Sequence, residues 1–230
     1  LLFHKKDKIY RQTFSEIKPE IQTSIIEACS AVLNDNKSLI QLIKQSNFTA
    51  FVENMQPSIR LNIIGAGNDI LPLVKLAKAM GWDITIVDGR SDLVTPTRFP
   101  EATTLMTGKA IEVVGKLQLD RNTAVLLMSH NFNYDLEILK GLHPYNCPYI
   151  GVLGPKRKLL KLKEQLTKEG IELQEKEENI IFGPMGLDIG AESPEEIALS
   201  ILSEVKAVLA GNDGGHLNSK NGPIHHTPNG

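Results

Sequence analysis

Cysteine is scarce in this chain: its 230 residues hold two, Cys29 and Cys147. They sit in unrelated surroundings, with no C-x-x-C pair and no zinc-ligand spacing, which argues against a disulfide-stapled scaffold or a structural zinc module. Such sparing use fits a reducing cytoplasm. Aromatic residues make up 5% of the chain, too few for a stacking platform that reads single-stranded nucleic acid. Neither charge prevails: 25 Lys and Arg stand against 27 Asp and Glu, so nothing global points to nucleic acid or an anionic membrane. The apolar runs fall far short of the roughly 20 residues needed to span a bilayer. No apolar signal segment follows the charged start at Lys5, Lys6 and Lys8. No P-loop, H-E-x-x-H or Ser-His-Asp order is present, and no metal site is expected. The first residue is Leu1 rather than Met, which reads as part of a longer protein.

What is present begins with a hydrophobic fraction of 41%, enough for a packed core in one or two domains. The most informative segment is Gly65-Ala66-Gly67. It ends the apolar run Leu61-Asn62-Ile63-Ile64 and opens a helix-like stretch from Ile70 to Met80. The next apolar run, Ile84-Thr85-Ile86-Val87, ends in Asp88. A strand, a glycine turn, a helix, a second strand and an acid about 20 residues past the turn form the mononucleotide-binding βαβ unit. Glycines let the backbone approach a phosphate, and a helix N-terminus offers free N–H groups and a positive dipole end. Asp88 is placed to accept from ribose hydroxyls. The third fingerprint glycine is replaced by Ile70.

The rest of the chain extends this pattern. Strands are expected at 61–65, 84–88, 103–106, 123–129 and 148–153, with a weak one near 179–182. Helices are expected at 69–80, 109–117, 133–141, 155–169 and 194–209. This alternation predicts an α/β fold, a Rossmann-like doubly wound parallel sheet with helices on both faces. The last helix carries a start signal, Ser193 as N-cap, Pro194 next and Glu196 completing a capping box, and Gly211 stops it. Residues 1–57 read as the remainder of a smaller N-terminal domain or a linker. Within it, Lys8 to Phe14 suggests a strand, and Ile21 to Leu33 a helix with Ile21, Ile25, Ala28 and Val32 on one face. Ser38 to Lys44 suggests a second, short helix. Residues 58–211 form the α/β domain, and 212–230 an extended tail rich in Gly, Asn and His.

Ligands of open parallel sheets bind beyond the carboxyl ends of the strands. Each segment that lands there has two readings. Asp88 either recognises a ribose or substrate, or caps and pairs with Gly89-Arg90. His130, at the end of a buried strand, is a candidate acid–base or ligand-contacting group near neutral pH, or a turn residue. Asn133 or Asp135 is expected to cap the helix that follows. Lys156, Arg157 and Lys158 oppose the macrodipole at a helix start, which a bound anion would reverse; otherwise they form a solvated basic face. In the segment Pro184 to Glu196, Asp188 either orients a loop or touches a ligand. Cys147 is expected to pack as a small apolar group.

Several of these segments together resemble one family. They are Gly65-Ala66-Gly67-Asn68-Asp69, Val87-Asp88-Gly89-Arg90, Arg98-Phe99-Pro100-Glu101-Ala102, Gly151 to Lys158, and Gly186 to Ala198. With the tail Gly222-Pro223-Ile224-His225, they are similar to the XdhC/CoxI family over about residues 58 to 226. The resemblance implies an accessory chaperone of xanthine dehydrogenase or a related molybdenum hydroxylase, a maturation factor rather than a catalyst. Its cargo would be the molybdenum cofactor, and its partners the apo-hydroxylase and a cysteine desulfurase-type sulfurating enzyme. Under that reading Gly65, Gly67 and Asn68 approach the cofactor phosphate, Lys156 and Arg157 neutralise it, and Asp88 or Asp188 contacts pterin or ribose donors. The resemblance also implies a Gly-Gly-Cys motif in the N-terminal domain and His-Asp-His near His130. The first is absent, and Asn131-Phe132 follow His130 here. The alternatives are an NAD(P)-dependent oxidoreductase with His130 as proton donor, or a nucleotide-binding regulatory module. A homodimer is the default for such domains.

Overall fold

The computed structural model describes residues 57–143, 145 and 147–221, and, earlier, residues 2–5, 8–11, 21, 23–27, 30, 40–45 and 48–53. The chain divides into two units, residues 1–56 with 217–230, and residues 57–216.

In the first unit, β1 (Leu2–Lys5) pairs antiparallel with β2 (Lys8–Arg11), and β3 (Ile40–Gln45) with β4 (Phe48–Glu53). β2 lies in the span expected as a strand. Residues 21, 23–27 and 30 are helical, inside the span expected as a helix; Ala28 and Val32 lie outside the described residues. The short helix expected at Ser38 to Lys44 is corrected, because Ile40–Gln45 is a strand. A segment this short is a poor helix by itself. Phe48, Thr49, Phe51 and Val52 favour extended backbone and supply a ladder running from Ile40↔Glu53 to Gln45↔Phe48.

The second unit is a six-stranded parallel sheet. Its strands are β5 (Arg60–Ile64), β6 (Asp83–Asp88), β7 (Thr104–Thr107), β8 (Thr123–Leu127), β9 (Tyr149–Val152) and β10 (Ile181–Phe182). Their order is β10-β9-β8-β5-β6-β7, every pair parallel. The chain therefore winds outward from β5 to β7, then returns to β8 and winds the other way, which is the doubly wound Rossmann order. The reversal falls between β5 and β8.

The helices are α1 (Ile70–Ala79), α2 (Ala110–Val114), α3 (Phe132–Leu142), α4 (Lys156–Lys168), α5 (Glu175–Glu178) and α6 (Pro194–Leu209). Strand residues alternate between two cores, as the pleat requires. Leu61, Ile63, Ile84, Ile86, Ala124, Leu126 and Tyr149 pack with Leu73 and Ala77 of α1 and Ile201 and Val205 of α6. Ile64, Val87, Val125, Leu127, Ile150 and Val152 pack with α2, α3 and α4 through Val113, Leu139 and Leu162. Strands covered on both faces explain the unbroken apolar runs in the sequence. Cys147 is fully buried in the second core, where burial pushes its thiol up to about 11.

Candidate functional site

The glycine turn after β5 is shaped first by packing. Gly65 has φ +128°, and a Cβ there would overlap the Met128 carbonyl at the end of β8. Its bare α-carbon lets the ends of β5 and β8 close together at the point where the strand order reverses. The Ala66 N–H donates to Asp88 Oδ2 at 2.8 Å, tying the turn to the end of β6.

Asp88 realises the pairing reading. Besides the Ala66 N–H, it accepts from the Arg90 backbone N–H at 2.9 Å and from the guanidinium at both oxygens, Nε to Oδ1 at 2.9 Å and Nη2 to Oδ2 at 2.8 Å. Four donors fill the sites a carboxylate offers. Burial of Asp88 works to raise its pKa, but the Arg90 guanidinium and the N–H groups of Arg90 and Ala66 outweigh it and hold the carboxyl below its ordinary value.

Beside this knot lies a cleft of about 480 Å³, lined by Asp88, Gly89, Arg90, Ser129, His130, Asn131, Phe132 and Tyr134. Its volume falls within the range of small-ligand sites, and it opens at the carboxyl ends of β6 and β8. Phe132 keeps part of its ring exposed, and the Arg90 side chain is half exposed. Tyr134 donates to the Gly108 carbonyl at 2.9 Å; burial, with Asp88 and Asp135 nearby, pushes its phenol up to about 12.

His130 stands at the rim with φ +55°, the one non-glycine residue in left-handed backbone among the described residues. Its Nε2 meets Asp69 Oδ2 at 2.9 Å. Asp69 precedes α1 but makes no capping hydrogen bond. Instead Oδ1 lies against Gly67, where a Cβ would overlap it. Asn68 accepts from Arg98 Nη2 at 2.6 Å, and the Arg98 guanidinium lies over the Phe99 ring at 5.1 Å.

Behind the cleft, Asp135 is fully buried. It accepts from Ser129 Oγ at 2.5 Å and from Lys158 Nζ at 2.7 Å, and Lys158 also donates to the Leu153 carbonyl at 3.0 Å. The cap expected from Asn133 or Asp135 is supplied by Asn131, whose side chain accepts from the Tyr134 N–H. Asn131 has the extended backbone of an N-cap, whereas Asp135 lies one turn inside the helix, facing α4. Of the three basic residues opening α4, Lys158 is thus structural, while Lys156 and Arg157 are exposed and make no ion pair among the described residues. Asp188 is exposed and lines no part of the cleft. Its segment is anchored on α6, where Glu204 accepts from the Gly186 N–H and the Tyr149 hydroxyl, and Ser200 donates to the Leu187 carbonyl.

Of the site residues expected from the sequence, Asp88 and His130 line the cleft, Gly65 and Gly67 lie in the turn against Ser129 and His130, Asn68 is tied to Arg98, and Lys156, Arg157 and Asp188 lie on other strand-end segments. Asp69, Phe132 and Tyr134 are not legible as site residues in the sequence, and of these only Asp69, directly after the glycine turn, has a local signal. Arg90 is legible as a partner of Asp88, and Asp135 and Lys158 as a cap and a basic residue, but not as a pair. Among the described residues no group of three or more His, Cys, Asp and Glu is placed to hold a metal ion, and no helix is long and apolar enough to cross a membrane.

Comparison with known proteins bears on this crevice. The family described as the XdhC Rossmann domain matches residues 61–205. A probable xanthine dehydrogenase subunit from Bacillus subtilis is 31% identical over 155 residues, 67% of this chain and 44% of that protein. The "Molybdenum cofactor insertion chaperone PaoD" of Escherichia coli is 28% identical over 162 residues, 70% of this chain and 44% of that protein. The chain thus spans under half the length of both curated relatives. The crystal structure of a xanthine dehydrogenase from Bacillus halodurans superposes with a TM-score of 0.60 at 29% identity, covering 74% of this chain and 50% of that one.

Proposed function

The chain belongs to the XdhC family, and from that premise we propose that it handles the molybdenum cofactor of a molybdenum hydroxylase as cargo, in the crevice at the carboxyl ends of its sheet. The observation that carries this reading is that the family match spans nearly all of β5 to β9 and most of α6, and so includes every residue of the cleft. The name of the Escherichia coli relative, a molybdenum cofactor insertion chaperone, supports the same role.

The cofactor joins a flat, hydrogen-bonding pterin to a phosphate, and two neighbouring surfaces suit these parts. The cleft offers a partly exposed aromatic ring at Phe132, a guanidinium plane at Arg90 and polar groups at Ser129 and Asn131. At the start of α4, Lys156 and Arg157 provide cationic charge beside free helix N–H groups. The chain Ser129–Asp135–Lys158 ties that helix start to the cleft wall. Asp188, without a hydrogen-bonding partner among the described residues, is available to pterin donors. The partners that follow from this role are an apo-hydroxylase, which receives the cofactor, and a cysteine desulfurase-type enzyme, which supplies its terminal sulfur. The chain acts as a maturation factor rather than a catalyst, and a homodimer remains the oligomer to test for.

The test is anaerobic equilibrium titration of the chain with isolated molybdenum cofactor. Binding is expected, with affinity falling about tenfold or more in Lys156→Ala/Arg157→Ala, the loss of two charge-assisted contacts. A folded chain that does not bind the cofactor overturns the reading. Binding unchanged in the double variant moves the phosphate away from α4.

A further inference from the structure

The glycine turn is already occupied by the protein's own anion. In the dinucleotide fingerprint the second glycine is bare so that a ligand pyrophosphate can come against the backbone. Gly67 is that glycine, and Asp69 Oδ1 fills the space its missing side chain leaves. Asp69 does not serve as an ordinary cap, since its backbone is helical at φ −63° and ψ −21° and its carboxylate bonds no N–H of α1. Its other oxygen is held by His130 Nε2 at 2.9 Å, from a residue in left-handed backbone on the opposite wall. On the ribose side, Asp88 is saturated by the Ala66 N–H and Arg90.

We propose that Asp69, latched by His130, is a specificity-determining residue that keeps dinucleotide pyrophosphates of the NAD(P) class off the Gly67 turn, so that the crevice is left to ligands anchored elsewhere. A pyrophosphate approaching Gly67 meets both the volume of the carboxylate and its negative charge. Asp69→Asn keeps the volume and removes the charge. Asp69→Gly removes both, and Asn and Gly are both tolerated at a helix start. His130→Gly releases the latch and suits the left-handed backbone.

This inference rests on the reading of the crevice as a phosphate-ligand site, and the experiment separates the two. NADH and NADPH are titrated by fluorescence into wild type, Asp69→Asn, Asp69→Gly and His130→Gly, with isolated molybdenum cofactor run in parallel. Circular dichroism melting confirms that each variant is folded. Wild type is expected to bind the reduced dinucleotides at least tenfold more weakly than Asp69→Gly, with Asp69→Asn between them and His130→Gly also tighter than wild type. Equal affinity in wild type and Asp69→Gly, or no binding by any folded variant, overturns the inference. Cofactor binding by wild type without any gain of NADH in the variants leaves the cargo reading standing alone. A gain of NADH with no cofactor binding leaves the specificity role standing and removes the cargo reading.

Discussion

Asp88 links the glycine turn, the end of β6 and Arg90 through one carboxylate, and its protonation state governs all three. Its pKa lies below the ordinary value in the folded chain. The stability it contributes is therefore present above the unfolded carboxyl value of about 3.9 and is lost as pH falls through the lower folded value. Urea midpoints measured from neutrality down to about pH 3 should fall more steeply in wild type than in Asp88→Asn; parallel curves would show that Asp88 carries no part of the acid transition. A second residue pair is more demanding. Lys158 neutralises a carboxylate that has no exposure at all. Lys158→Met should cost about 3–5 kcal/mol by leaving the buried Asp135 with only its Ser129 hydrogen bond and no cation. Adding Asp135→Asn should recover a large part of that loss, and additive losses would mean the two residues are not coupled. The sequence placed Asp88, His130, Asp135 and Lys158 at strand and helix ends and offered Arg90 as a partner for Asp88, but no partner for the other three. Arg90 is two residues from Asp88, whereas Lys158 is 23 residues from Asp135; that second pairing needs the sheet order before it can be seen.

Elements were most legible where local signals agreed. α6 has the expected cap: the Glu196 N–H donates to Ser193 Oγ at 3.3 Å, and the Ser193 N–H donates to Glu196 Oε2 at 2.9 Å. Ser193→Ala should lower stability by about 1 kcal/mol, read from denaturant midpoints; an unchanged midpoint would assign the helix's stability to its buried stripe alone. α2 stops at Val114, short of the expected 117, because Gly115 follows as its C-cap and Lys116 and Leu117 continue only as turns. The sequence reads β3 as a helix because six residues with Ile40, Leu42 and Ile43 as their apolar positions fit either period, and only the ladder with β4 decides. The turn after β5 is fixed by contact rather than by a ligand. Gly65→Ala should destabilise by at least about 3 kcal/mol, from strained φ and overlap with the Met128 carbonyl. Near-wild-type melting would mean that β5 and β8 can part at this point.

At the scale of the whole molecule, the order β10-β9-β8-β5-β6-β7 brings six separate strand ends to one edge, the edge at which ligands of doubly wound sheets bind. A ligand that binds this edge only in the folded state stabilises it by mass action, about 2.7 kcal/mol at a hundredfold excess over its dissociation constant. Isolated molybdenum cofactor should therefore raise the denaturant midpoint of wild type, and at the same concentration raise that of Lys156→Ala/Arg157→Ala less. Equal shifts in the two proteins would separate binding from the basic start of α4.

The sequence by itself determined the parallel α/β class and nearly every strand and helix from residue 60 to 209. These follow from hydrophobic period, capping residues and turn glycines, all of which act over a few residues. The tertiary structure alone decided what the strand-end side chains touch. It realised the Arg90 pairing that the sequence left as one of two readings of Asp88, gave Lys158 to Asp135 and laid Asp69 over Gly67 under the hold of His130. Hydrogen bonds and ion pairs are made by whichever groups the fold brings within about 3 Å, and in this sheet those groups come from strands as far apart in sequence as β5 and β8.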